Sequence, residues 1–127
     1  MAVAVRPSSH KRQHDTKLAA ATVTWANEDL ALTFEEIGVV VAADERTVRR
    51  WRSSEVAPRA RHQASLAAFV DLRHLLGEVF GHPDDAREWL GTPLRAFRGH
   101  TPLSRIRQGR PQEVVDVLAT MESGVFL

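Results

Sequence analysis

Along most of this chain apolar side chains recur every three or four positions, the spacing of helices with one buried face. Lys17 to Leu30 reads as a first helix, with Ala19, Val23, Ala26 and Leu30 on one side and Trp25 as a core anchor. From Phe34 to Trp51 the pattern breaks once, at Ala42-Ala43-Asp44, and Ile37, Val41, Val48 and Trp51 fall where two short helices joined by a tight turn would share a small core. Thr33 is placed to cap the first of them and Asp44 the second, each side-chain oxygen accepting from free backbone N–H groups. Gly38 fits this unit, because glycine within a helix costs roughly 1 kcal/mol against alanine unless a neighbouring helix must pass too closely for a side chain. Val39-Val40-Val41 is β-branched, but its flanks are helical in pattern.

After Ser53-Ser54 and Pro58 a long helix is predicted from about residue 60 to 80, through Leu66, Val70, Leu72, Leu75, Leu76, Val79 and Phe80. Proline and glycine then cut the chain into short pieces. Gly81-His82-Pro83 closes the long helix, Asp84 is placed to cap a helix through Trp89-Leu90, and Thr92-Pro93 and Thr101-Pro102 each read as a cap followed by proline at the first helical position. A last helix starts at Gly109-Arg110-Pro111, carries Val114, Val115, Leu118 and Met121, and ends at Gly124. The predicted fold is all-α: a disordered basic arm over 1–16, a helix-turn-helix DNA-binding module over 17–58, a connecting helix over 59–81, and a small helical domain over 82–127. The apolar end, Val125-Phe126-Leu127, either folds back on its own core or inserts into a partner.

Charge gives the helix-turn-helix a purpose. Residues 44 to 61 hold six arginines against three acids, whereas 16 to 43 hold one basic and four acidic groups, so the net charge of +1 hides a local concentration. With Val48 and Trp51 facing inward, Arg46, Arg49, Arg50 and Ser53 share the opposite face and Thr47 lies at its edge. Arginine forks pair with guanine edges or with phosphates, and Glu45, Arg46 and Thr47 occupy the leading end that approaches bases in a recognition helix. The same face also suits a solvated structural helix; the spacing of Gly38, the turn, Val48 and Trp51 favours DNA. Arg6, Lys11 and Arg12 could extend the contact or simply be solvated.

Composition narrows the classes. A chain of 127 residues with 43% hydrophobic content supports one domain or two small helical modules sharing a core. It has no cysteine, which removes disulfides, thiolate metal sites and a cysteine nucleophile. No segment resembles a signal peptide or approaches the ~18 apolar residues of a membrane span, so the expected location is the cytoplasm. None of the six histidines sits in an HExxH motif, Asp71 and His74 form only one carboxylate–histidine pair, and no GxSxG or phosphate-binding glycine loop occurs. The reading is a non-enzyme with no metal and no cofactor.

One stretch carries a family likeness. EWLGTPLRAFRGHTPLSRIRQGRPQEVVDVLATMESGVF resembles the toxin-binding domain of the Xre-like antitoxins paired with RES-domain toxins, the Xre/MbcA/ParS-like family. Trp89-Leu90, Thr92-Pro93-Leu94, Gly99, Thr101-Pro102-Leu103, Gly109, Val114, Leu118 and Gly124-Val125-Phe126 follow the family's order and spacing, and LTFEEIGVVVAADERTVRRWRSSEVAP resembles its helix-turn-helix half. Ala42 and Ser54 stand where that half often has glycine. The resemblance implies a dimeric antitoxin that silences an NAD-depleting RES toxin, its C-terminal end over the mouth of the toxin active site, and that represses its own operon. It makes 82–127 the toxin-binding domain, with Trp89, Gly124, Val125, Phe126 and Leu127 as toxin contacts and Glu45, Arg46, Thr47, Arg49, Arg50 and Ser53 as operator contacts. The alternative is a stand-alone regulator whose C-terminal half dimerises or senses a ligand.

Overall fold

The computed structural model describes residues 9–124, and all regular structure among them is helical. In order these are α1 (Ser9–Glu28), α2 (Phe34–Val41), α3 (Glu45–Arg52), α4 (Ala60–Val79), α5 (Pro83–Leu90), a single 3-10 turn (Arg95–Phe97), α6 (Pro102–Arg107) and α7 (Pro111–Glu122). No described helix is long and apolar enough to cross a membrane.

The first helix begins at Ser9, not Lys17, so residues 9–16, expected to be disordered, are helical. Lys11, Arg12 and Gln13 are good helix formers, and their solvated turns extend a helix that tertiary packing already holds at Ala19, Val23 and Ala26. Its other end stops at Glu28. Ala31 takes a left-handed conformation (φ 56°), the Leu32 N–H donates to the Ala26 carbonyl at 3.1 Å, and the Asn27 side chain donates to the Leu32 carbonyl at 2.8 Å. That turn buries Leu30 and Leu32 and delivers the chain to α2.

Helix α2 opens on a capping box. The Thr33 hydroxyl accepts from the Glu36 N–H at 3.0 Å while the Glu36 carboxylate accepts from the Thr33 N–H at 2.9 Å. Three residues later than its end, Asp44 caps α3 by accepting from the Thr47 N–H at 2.7 Å. Between them Ala42 adopts φ 56°. Gly38 is needed here, though not to admit a neighbouring helix: a Cβ on it would lie 2.5 Å from the Ala43 carbonyl oxygen. The turn itself folds back against α2, held by the Ala43 N–H donating to the Gly38 carbonyl at 2.9 Å.

Ile37, Val41, Val48 and Trp51 are all buried, as their spacing required. They do not form a separate small core, however. Buried side chains from Ala19 to Leu118 make one continuous apolar cluster, in which α4 packs most extensively on α7 and α1 on α3, while α2 packs chiefly on α3 and also meets α4 and α6. Phe69 and Leu72 of α4 and Val114 and Leu118 of α7 are completely enclosed. The long helix is thus a shared central element. His62, in its first turn, is 4% exposed and its Nδ1 lies 3.0 Å from the Val41 carbonyl. A carbonyl only accepts, so Nδ1–H donates, leaving Nε2 to accept from Arg61 Nε at 3.2 Å. Its ring meets Trp51 edge-on at 5.1 Å between centroids, fixing the start of α4 against both α2 and α3. A polar tie adds to this: Arg107 of α6 forms an ion pair with Glu36, its Nε 2.9 Å from the carboxylate.

The short C-terminal elements follow their caps with two changes. His82, rather than Asp84, caps α5: its Nδ1 accepts from the Asp84 N–H at 3.1 Å, and Asp84 instead sits in the first turn and receives Arg87 at 3.0 Å. Thr92-Pro93 starts no α-helix. The Thr92 hydroxyl donates back to the Glu88 carbonyl at 2.6 Å, closing α5, and the chain makes only the 3-10 turn that buries Phe97. Thr101 does cap α6, accepting from the Ser104 N–H at 3.1 Å, and Pro111 begins α7.

Candidate functional site

Two surfaces concentrate the residues that chemistry singled out. On α3, Val48 and Trp51 are sealed in the core while Arg46, Arg49, Arg50 and Ser53 are exposed and Thr47 is half-buried. Thr47 is engaged at the cap, since its side chain and its backbone N–H both hydrogen-bond Asp44 and, with the Arg46 charge, hold that carboxyl below its ordinary value. Glu45 accepts from Arg49 at 2.6 Å and Arg50 donates to Glu55 at 3.3 Å. Both ion pairs are solvent-exposed and therefore weak, so each guanidinium can exchange its carboxylate for a phosphate at little cost. Ser53 closes the helix, its N–H donating to the Arg49 carbonyl at 3.0 Å.

Arg52 belongs to this surface too, and pattern reading passed over it. Its guanidinium lies 5.6 Å from the Phe34 ring centroid and that of Arg49 lies at 4.7 Å, so the start of α2 carries an aromatic platform under two cations. Only the fold brings Phe34 and Arg52 together; the signal available beforehand was Phe34 standing just after a capped helix start.

The second surface is built by α5, the 3-10 turn and α7. Trp89 is half-buried, its ring 5.6 Å from that of Phe80, and with Leu94, Val117 and Met121 it lines an open apolar groove of about 420 Å³. Gly124, exposed at the end of α7, has φ 72° and turns the chain there. Val125, Phe126 and Leu127 lie outside the described residues, as do residues 1–8. Among the described residues no cluster of three or more histidine, aspartate or glutamate side chains is arranged to hold a metal, and Asp71 and His74 are both exposed.

Comparisons with known proteins match the C-terminal part by family and most of the chain by individual relatives. Residues 75–124 match the family model of the antitoxin Xre/MbcA/ParS C-terminal toxin-binding domain. The mycobacterial cidal antitoxins MbcA of Mycobacterium tuberculosis and Mycobacterium bovis are 34% identical to the chain over 108 residues, covering 85% of it and 95% of each relative. A probable mycobacterial cidal antitoxin of M. tuberculosis is 23% identical over 113 residues, covering 89% of the chain and 96% of that relative. Among solved structures, a chain of the M. tuberculosis MbcT–MbcA toxin–antitoxin complex superposes with a TM-score of 0.57 at 34% identity, covering 85% of this chain and 96% of that one.

Proposed function

This chain belongs to the Xre/MbcA/ParS family of antitoxins, and from that premise we propose that it neutralises a RES-domain, NAD-depleting toxin by occluding its active site and represses its own operon as a cytoplasmic homodimer. The relation to MbcA across most of the chain carries the antitoxin reading. The inhibitory part is the apolar end: Phe126, with Val125 and Leu127 beside it, follows the last helix cap and fills the toxin's site by excluding substrate. Trp89 and Gly124 support this contact from the antitoxin side. Neutralisation by exclusion asks no catalysis of this chain.

The exposed arginine face of α3 supports operator binding. Glu45, Arg46 and Thr47 lead into the major groove, Arg49, Arg50 and Ser53 follow, and α2 with its capped start lies against the phosphates. A homodimer supplies the two such faces that paired half-sites need. Affinity should fall steeply with salt, because arginine–phosphate pairing releases counterions.

One experiment separates the roles. The chain is co-expressed with the RES-domain toxin encoded beside it, and three forms are compared by growth rescue and by gel shift on the operon's own promoter. R46A/R50A should lose operator binding, at about 1–3 kcal/mol per base contact, and keep neutralisation. Removing residues 125–127 should do the reverse. Full rescue by the truncated form would refute occlusion by the tail, and unchanged gel shifts for R46A/R50A would remove α3 as the recognition helix. Failure of the wild-type chain to neutralise the toxin while it binds the promoter would favour the stand-alone regulator.

A further inference from the structure

Charge in the C-terminal half is as unevenly distributed as in the N-terminal half. Residues 62–127 are close to neutral in total, yet residues 89–112 hold Arg95, Arg98, Arg105, Arg107, Arg110 and His100 with no acidic side chain. Arg107 turns towards α2 and is held by Glu36. Arg98, Arg105 and Arg110 instead line a polar groove of about 470 Å³ with Glu113 and Asp116 on α7. This groove and the apolar one beside Trp89 share Ala96 and Val117 in their walls, so they form one trough between the 3-10 turn and α7. One end is apolar and the other cationic.

The cationic end is loosely paired. Arg105 is only 13% exposed; one of its terminal nitrogens donates to the Phe97 carbonyl at 3.2 Å, the other stands 3.9 Å from Glu113, and Nε has no partner among the described residues. Arg110 also reaches Glu113 only at 3.9 Å. A single carboxylate at long range from two guanidinium groups satisfies neither, since charge-assisted pairs close to about 2.7–2.9 Å.

We propose that this trough is the receptor for a segment of the toxin that carries an apolar side chain followed closely by an acidic one. The apolar group seats between Trp89, Leu94, Val117 and Met121, and the carboxylate pairs with Arg98 and Arg110. The inference rests on the antitoxin reading and adds a second contact, separate from the tail. It assigns the trough to recognition and leaves inhibition to residues 125–127.

The test measures affinity for the purified toxin encoded beside this chain, by titration calorimetry, with full-length wild type, V117R, R98E/R110E, and each of these lacking residues 125–127. Far-UV circular dichroism and melting temperature establish that each variant is folded. R98E/R110E alters exposed side chains only, so it remains informative if V117R does not fold. Both groove variants should weaken association by about tenfold or more, with or without the tail, and the effect of R98E/R110E should shrink at high salt. Wild-type affinity in both variants would overturn the proposal and leave the antitoxin reading intact, whereas no binding by wild type would overturn both. Two further outcomes also refute it. A groove effect that disappears once the tail is removed would make the trough a seat for the chain's own end, and a shift from dimer to monomer in sedimentation would make it a contact between copies.

Discussion

Replacing Gly38 by alanine should destabilise this protein, although helix propensity alone predicts the opposite. Alanine in mid-helix gains roughly 1 kcal/mol over glycine. The new Cβ would sit 2.5 Å from the Ala43 carbonyl oxygen, and contacts of that kind open to at least 3.0–3.4 Å, so the turn must retreat by roughly 0.5–0.9 Å. The obstacle is backbone and has no rotamer to change. Overpacking of this kind costs about 1–3 kcal/mol, and the retreat also stretches the 2.9 Å bond from the Ala43 N–H to the Gly38 carbonyl, worth about 0.5–1.5 kcal/mol. The net loss is about 1–3 kcal/mol, on the order of 5–10 °C in a domain of this size. Because Asp44 follows Ala43 directly, the displacement reaches the cap of α3 and should also weaken the proposed promoter binding. Thermal and urea denaturation of G38A beside wild type measure the first effect and gel shift the second. A melting temperature equal to or above wild type would refute the close-approach argument.

Other substitutions have equally definite expected outcomes. A42G should raise stability by about 0.5–1 kcal/mol, since Ala42 holds φ 56° against its Cβ and glycine relieves that strain at some cost in unfolded-chain entropy; denaturant midpoints measure it. D44A should melt below wild type at neutral pH. The Asp44 carboxyl titrates below its ordinary value in the folded chain, so its contribution is complete above the unfolded carboxylate pKa of about 3.9 and is lost as pH falls through the lower folded value; the two melting curves should converge there. F69A, at a completely buried site of the shared core, should cost about 3–5 kcal/mol and lower the α3 and α7 signals in one transition; two separate transitions would show independent modules.

Local signals made most helices legible. Caps at Thr33, Asp44 and Thr101 and proline at Pro102 and Pro111 act within one turn of their own position, and each acts as its sequence indicates. Where several polar residues compete for one cap, as at His82 and Asp84, the choice depends on how the chain leaves α4. The arginine face of α3 was readable because helical periodicity alone separates it from Val48 and Trp51. Contacts between distant residues were not. His62 stood out in the sequence only as one of six histidines, none in an HExxH motif, since nothing near it in sequence reveals the Val41 carbonyl to which it donates. Ala42 and Ser54, both left-handed (φ 56° and 59°), show that the backbone shape of this unit is imposed by packing even where glycine is missing.

The Glu36 carboxylate works in two directions at once, one oxygen on the Thr33 N–H and the other on Arg107. That double duty makes the chain's halves a matched set rather than interchangeable parts. A chimera that grafts the first 58 residues onto the C-terminal half of a relative lacking an arginine opposite Glu36 would lose this tie between the halves, and a domain cut from either side would lose a wall of the common core. If the proposed promoter binding holds, changing the sequence it reads is therefore better attempted on the outward side chains of α3 than by exchanging whole segments.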